Sequence, residues 1–156
     1  MSIWGEIKHS INSDLNKPLN VLINGTKGLT ASDNLYAVLT ASEFTANYNT
    51  QLNIPIKATM NWNGSFNVKC YLYLAGSTSN VKLTIYKNGI QYTTISGGSS
   101  SESNVQRSAT CTCSKGDIFT FVLDNYENSR NYTAYLSGLG IYADISDISG
   151  VTIESI

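Results

Sequence analysis

Charge is scarce in this chain: of 156 residues only 13% are charged, and the formal net charge is −1. That balance excludes a broad basic field for nucleic acid and a polybasic anchor for a membrane surface. Long apolar runs are missing too, none approaching the roughly 18 consecutive residues of a membrane-spanning helix. The first residues carry no basic region, apolar run and small-residue cleavage site in series, so synthesis in a cytoplasm without a secretory signal is expected. Histidine occurs once, as His9, whereas a zinc site needs about four ligands. The three cysteines, Cys70, Cys111 and Cys113, are odd in number. The last two sit two positions apart on one expected strand face, poor geometry for a mutual disulfide, so free buried thiols are expected.

Chemistry is equally thin. The sequence has no Gly-x-Ser-x-Gly elbow and no Gly-rich phosphate loop between a strand and a helix, and His9 has no catalytic partner near it. Asp117, Asp124, Glu127, Asp144 and Asp147 raise calcium as a question, but Asp117 reads as a turn residue. Asp144, Asp147 and Glu154 belong to a terminal arm or extended strand, "ADISDISGVTIESI". The expectation is a non-enzymatic protein with no catalytic residue, no metal and no cofactor.

What the chain does have is Asn, Ser and Thr, together a third of all residues, and ten tyrosines. These build a surface that is polar without being charged, rich in hydrogen-bonding hydroxyls and amides. The opening "MSIWGEIKHSINSDL" is the one helical stretch: at about 100° per residue, Ile3, Trp4, Ile7, Ile11 and Leu15 share one face while Ser2, Glu6, His9 and Ser13 point away. Pro18 cannot continue the helix and biases Lys17 out of the α region. The expected organisation is a helix over 1–17, a linker arm over 18–31 and one β domain over 32–156.

In that domain "FNVKCYLYLA" alternates Phe66, Val68, Cys70, Leu72 and Leu74 with Asn67, Lys69, Tyr71 and Tyr73, which predicts a strand with one buried face. Asn88-Gly89 between two alternating runs predicts a hairpin, because both central positions of a type I′ turn need positive φ. "SGGSSSES" leads on to Val105, Ala109, Cys111 and Cys113 as a further inward series, and reads either as a flexible connection or as a functional loop. "KGDIFTFVL" places Phe119, Phe121 and Leu123 on one face after a turn, and Pro55 marks a sheet edge or bulge. Many short strands with turn signals between them predict an all-β antiparallel sandwich or jelly roll.

"NGSFNVKCYLYLAG", "VKLTIYKNG", "SKGDIFTFVL" and "YLSGLGIYA" together resemble, in order and spacing, the strand motifs of the C1q/TNF-like jelly roll, over roughly residues 33 to 145. Leu139 stands where that family usually carries an aromatic after the last Ser-Gly. Trp4, Ile7, Lys8, Ile11, Asn12, Ser13 and Leu15 resemble the opening of tail-associated virion proteins from phages and prophages of Gram-positive bacteria. The two resemblances imply a virion component: a homotrimeric jelly roll fastened to other virion proteins by its N-terminal helix. The scarcity of charge, not the resemblance, is what argues against a nucleic-acid or membrane partner.

Tyr71, Tyr73, Tyr86, Tyr92, Tyr126, Tyr132 and Tyr135 cannot all be core residues. Exposed tyrosines serve either subunit contacts or stacking on sugars of a host-surface polysaccharide. Tyr71 and Tyr73 are the expected oligomer interface, and Tyr126 and Tyr132 the expected surface-binding residues. The alternative function is a free carbohydrate-binding, lectin-like module.

Overall fold

The computed structural model describes residues 28–144 and 150–156. The expected helix over 1–17, with Ile3, Trp4, Ile7, Ile11 and Leu15, lies outside the described residues. The described residues form eleven strands: β1 Thr30–Val38, β2 Phe44–Ala46, β3 Thr50–Asn53, β4 Ile56–Met60, β5 Gly64–Leu74, β6 Val81–Lys87, β7 Ile90–Ser96, β8 Gln106–Cys113, β9 Ile118–Asn125, β10 Ala134–Asp144 and β11 Val151–Ser155. One sheet runs β1–β10–β5–β8, with β2 on β10 beyond the end of β1; the other runs β11–β4–β9–β6–β7, with β3 on β9 beside β4. All of these strand pairings are antiparallel. From β4 onward every connection except the β6–β7 hairpin crosses between the sheets, and this winding makes the antiparallel sandwich a jelly roll.

The alternation along β5 is what makes the sandwich close. Phe66, Val68, Cys70, Leu72 and Leu74 are all fully buried. They face Val81, Leu83 and Ile85 of β6 and Phe119, Phe121 and Leu123 of β9, which are 1% exposed or less. Phe66 and Phe119 meet edge to face between the sheets, ring centroids 5.1 Å apart at 87°. The three cysteines are free and buried. Leu139 is 1% exposed; a bulge at Gly138, φ 62°, shifts the β10 register and turns it inward.

Two details differ from the pattern read along the chain. β1 begins at Thr30 rather than near Ser32, because Leu29 is already buried and bridges Gly64. Val105 lies before β8 and is 46% exposed; the inward position nearest it is filled by Arg107. Arg107 donates to the Ser96 carbonyl at 3.3 Å and pairs with Glu102 at 3.1 Å, closing the side where β7 and β8 leave the two sheets open. The Gly/Ser-rich stretch is pinned rather than free: the Leu74 amide donates to the Gly98 carbonyl, the Gly98 amide to Leu72 and the Gly97 amide to Val81.

Strand direction gives the domain two distinct ends. β5 and β10 have eleven residues each, which at about 3.3 Å per residue makes the sandwich roughly 35 Å long. Thr30 pairs with Asp144 at one end of β10, while Leu74 pairs with Ala134 at the other. The chain therefore enters β1 at one end, and the β5–β6 and β9–β10 loops cluster at the opposite end.

The β6–β7 hairpin turns where expected, with Asn88 at φ 54° and Gly89 at φ 80°. A Cβ added at Gly89 would meet nothing within 4 Å, whereas one added at Gly64, φ 145°, would lie 2.1 Å from the Leu29 carbonyl oxygen. Gly89→Ala should therefore cost only the backbone term, about 1 kcal/mol. Gly64→Ala should cost at least twice as much in urea denaturation. Equal losses would mean that the close approach of Leu29 is not what requires glycine at 64.

Candidate functional site

Every second residue of β5 and β10 leaves the core on the outer side of the β1–β10–β5–β8 sheet, and there the sequence places tyrosines. Tyr73 and Tyr135 are directly opposite each other in register and their rings stack, centroids 5.2 Å apart and 13° from parallel. Tyr71 sits opposite Ser137, one outward position along. Next in the row, Lys69 holds its ammonium 4.9 Å from the Tyr142 ring centre and 2.6 Å from Asp33. Gln106 of β8 donates to the Tyr142 hydroxyl at 3.3 Å. At the β1 edge, Leu35 pairs with Tyr142 and Val38 with Gly140. Leu35 and Val38 are 55% and 53% exposed, so two aliphatic side chains extend the aromatic face toward solvent. Burial raises the Tyr73 phenol above its ordinary value, with Glu43 and Tyr135 adding to the effect.

Lys69 of this face is paired with Asp33, whose carboxyl the Lys69 hydrogen bond and charge hold below the usual carboxylate range. What the face offers is apolar and aromatic area with hydroxyl edges. The sequence reading placed Tyr71 and Tyr73 on one strand face but did not bring Tyr135, Tyr142, Leu35 and Val38 to join them. Cross-strand register alone does that, and no local pattern encodes it.

The second concentration of polar groups lies at the loop end. Glu127 is fully buried, and its carboxylate accepts hydrogen bonds from the Thr78 hydroxyl, from the Asn80 amide at 3.1 Å and from the Ser129 amide and hydroxyl at 2.9 and 2.6 Å. Those donors, the Ser129 hydroxyl foremost, pull its pKa down to about 2. Asn125, 1% exposed, donates from one amide nitrogen to the Ala46 carbonyl at 3.0 Å and the Tyr132 carbonyl at 2.8 Å. These two residues tie the β5–β6 and β9–β10 loops and the end of β2 into one knot. Glu127, weighed above as a calcium ligand, is occupied as a structural acceptor; the pairing Glu127-x-Ser129 is its only local trace in the sequence.

Tyr126 and Tyr132 stand at this end in different settings. Tyr126 is 45% exposed, with the Lys82 ammonium 5.5 Å from its ring centre. Tyr132 is half-buried, its ring packed against the core and over Gly76. Its hydroxyl lies 3.4 Å from the Ser77 hydroxyl and accepts from Arg130 at 3.1 Å. Ser77 and Arg130 lower the phenol's pKa. Ser77 was not evident from the sequence, since it meets Tyr132 only through the fold, whereas Arg130 lies two positions from Tyr132 in the chain.

No protein-family model matches the chain, and no curated protein matches it. Among solved structures, one described as a family 35 carbohydrate binding module from an environmental isolate is similar at 12% identity and a TM-score of 0.45, covering 79% of this chain and 93% of that one. A likeness of this degree bears on neither ligand nor partner.

The Glu127 knot makes a pH prediction. Its folded pKa, about 2, is below its ordinary value of 4.5, so its contribution to stability is complete above about pH 4.5 and is lost as pH falls toward 2. The melting temperature of the wild type should decline across that window, and Glu127→Gln should be less stable at pH 7 with a flatter acid limb. An unchanged acid limb in the variant would assign acid sensitivity to other carboxylates.

Proposed function

We propose that this chain is a non-enzymatic structural and binding protein of a bacteriophage or phage-tail-like particle. Its jelly-roll domain associates as a homotrimer through the outer face of the β1–β10–β5–β8 sheet, and its N-terminal segment fastens it to other virion proteins. The observation that carries the reading is the aromatic face itself: stacked Tyr73 and Tyr135 continue into Tyr71, Tyr142, Leu35 and Val38 on the outside of a domain whose core is already complete. Exposed apolar patches of this kind favour a protein partner, and tyrosine is enriched at such contacts. A second copy is the occupant that the C1q/TNF-like resemblance favours, because closed symmetry lets the same patch serve every subunit. Placement on a particle rests on the Trp4 to Leu15 pattern. The two-ended layout suits it, since the loop end, free to meet a host surface, is remote from where the chain enters β1.

Sedimentation or native mass spectrometry should find the wild-type chain as a trimer. Tyr73→Ser combined with Tyr135→Ser should give a folded monomer by circular dichroism. A chain lacking residues 1 to 20 should stay folded and fail to join particles; normal incorporation would remove the fastening role. The rival is a free lectin-like module with Tyr126, 45% exposed, as its sugar platform. A wild-type monomer that binds neutral glycans on an array would favour it over the trimer.

A further inference from the structure

At the loop end the structure positions three polar side chains side by side, Ser77, Arg130 and Tyr132. The Tyr132 ring is fixed in place, for a Cβ on Gly76 would lie 2.2 Å from it, so the ring occupies the space that only glycine leaves. Its backbone is held at both polar groups: the carbonyl accepts from Asn125 at 2.8 Å, and the amide donates to the Arg130 carbonyl at 2.8 Å. The Arg130 guanidinium carbon stands 6.0 Å from the ring centre, and one terminal nitrogen donates to the Tyr132 hydroxyl at 3.1 Å and to the Ser77 hydroxyl at 3.4 Å. The Tyr132 and Ser77 hydroxyls both accept from Arg130 and lie 3.4 Å apart, so one of their two protons bridges the pair and the other is left for an outside acceptor. The other guanidinium nitrogens add further donors to the same side.

Charge completes the argument. Arg107, Lys69, Lys82 and Lys87 each pair with a carboxylate; Arg130, like Lys57 and Lys115, forms no ion pair among the described residues, and of these three it alone stands beside an aromatic hydroxyl that it holds. Glu127, the carboxylate of the same loops, is buried and accepts from Thr78, Asn80 and Ser129; its charge favours the Arg130 cation through space without forming an ion pair with it. We propose that Ser77, Arg130 and Tyr132 form a binding site for an oxyanion, a phosphate or carboxylate group carried on a carbohydrate chain. A guanidinium fork held in position by an aromatic hydroxyl matches planar or tetrahedral oxyanions geometrically as well as electrostatically. The surrounding Asn128 and Asn131 are exposed and uncharged, supplying side-chain amides that suit sugar hydroxyls. The site deepens the surface-binding part of the preceding reading and rests on it for the carbohydrate carrier alone.

Titration calorimetry of the full chain against phosphorylated dextran, carboxymethyl dextran and unmodified dextran tests it. The wild type should bind one or both anionic polymers in preference to the neutral one, and more weakly as salt rises. Arg130→Gln should weaken that binding by about tenfold or more, the scale of a lost charge-assisted hydrogen bond. Tyr132→Phe keeps the ring over Gly76 and should weaken it by a smaller factor with the melting temperature preserved. The two anionic polymers distinguish a phosphate from a carboxylate source. Absence of preference for either over unmodified dextran, or undiminished binding by a folded Arg130→Gln, overturns the site. Mass measured on the same samples keeps the two readings separate: a trimer without anion preference fails here alone, and a monomer with it fails only the proposed assembly.

Discussion

Everything in the domain hangs on one contact plane, where the inward side chains of β5 meet those of β6 and β9. Five consecutive inward positions of β5 and three of β9 are closed to water, and each large side chain removed from solvent there is worth on the order of 1.5–3 kcal/mol before the entropy of ordering is counted. Because the period of a strand is two, fixing that face also fixes the other: once Phe66 to Leu74 are inside, Asn67, Lys69, Tyr71 and Tyr73 have to be outside. The aromatic face is thus a geometric by-product of the core. Its residues are free to be chosen for something other than folding.

Local signals in the sequence survived into the structure, and non-local ones could not be read. Asn88-Gly89 states its own turn, since the two residues that adopt positive φ are the two that tolerate it. The burial of β5 and β9 likewise follows from spacing alone. Stacking of Tyr73 on Tyr135 depends on which residue of β10 lies opposite β5, and a bulge at Gly138 resets that register partway along. Arg107 was hidden for a related reason. An arginine in an inward position reads as a break in the pattern, yet at the open side of a sandwich its long stem packs while its head reaches Ser96 and Glu102.

The loop end illustrates how a chain poor in charge uses the few charges it has. Glu127 is spent entirely inside, on four donors from its own loops, and in exchange the backbone there is held with little conformational freedom. Arg130 sits on that fixed scaffold at the surface. Side chains borne on tied loops lose less entropy when they engage a ligand than side chains on free ones. An anchored acid and a surface base three positions apart in the chain thereby take opposite roles, one interior and one outward.

The two-ended layout also has a mechanical meaning. A pull applied between the point where the chain enters β1 and the loops at the far end runs along the strands, while the hydrogen bonds joining β1, β10, β5 and β8 lie across them. Such a load shears the whole ladder at once instead of unzipping it one rung at a time. A domain tethered at one end and gripping at the other would therefore resist extension with all its rungs together, whatever it is tethered to.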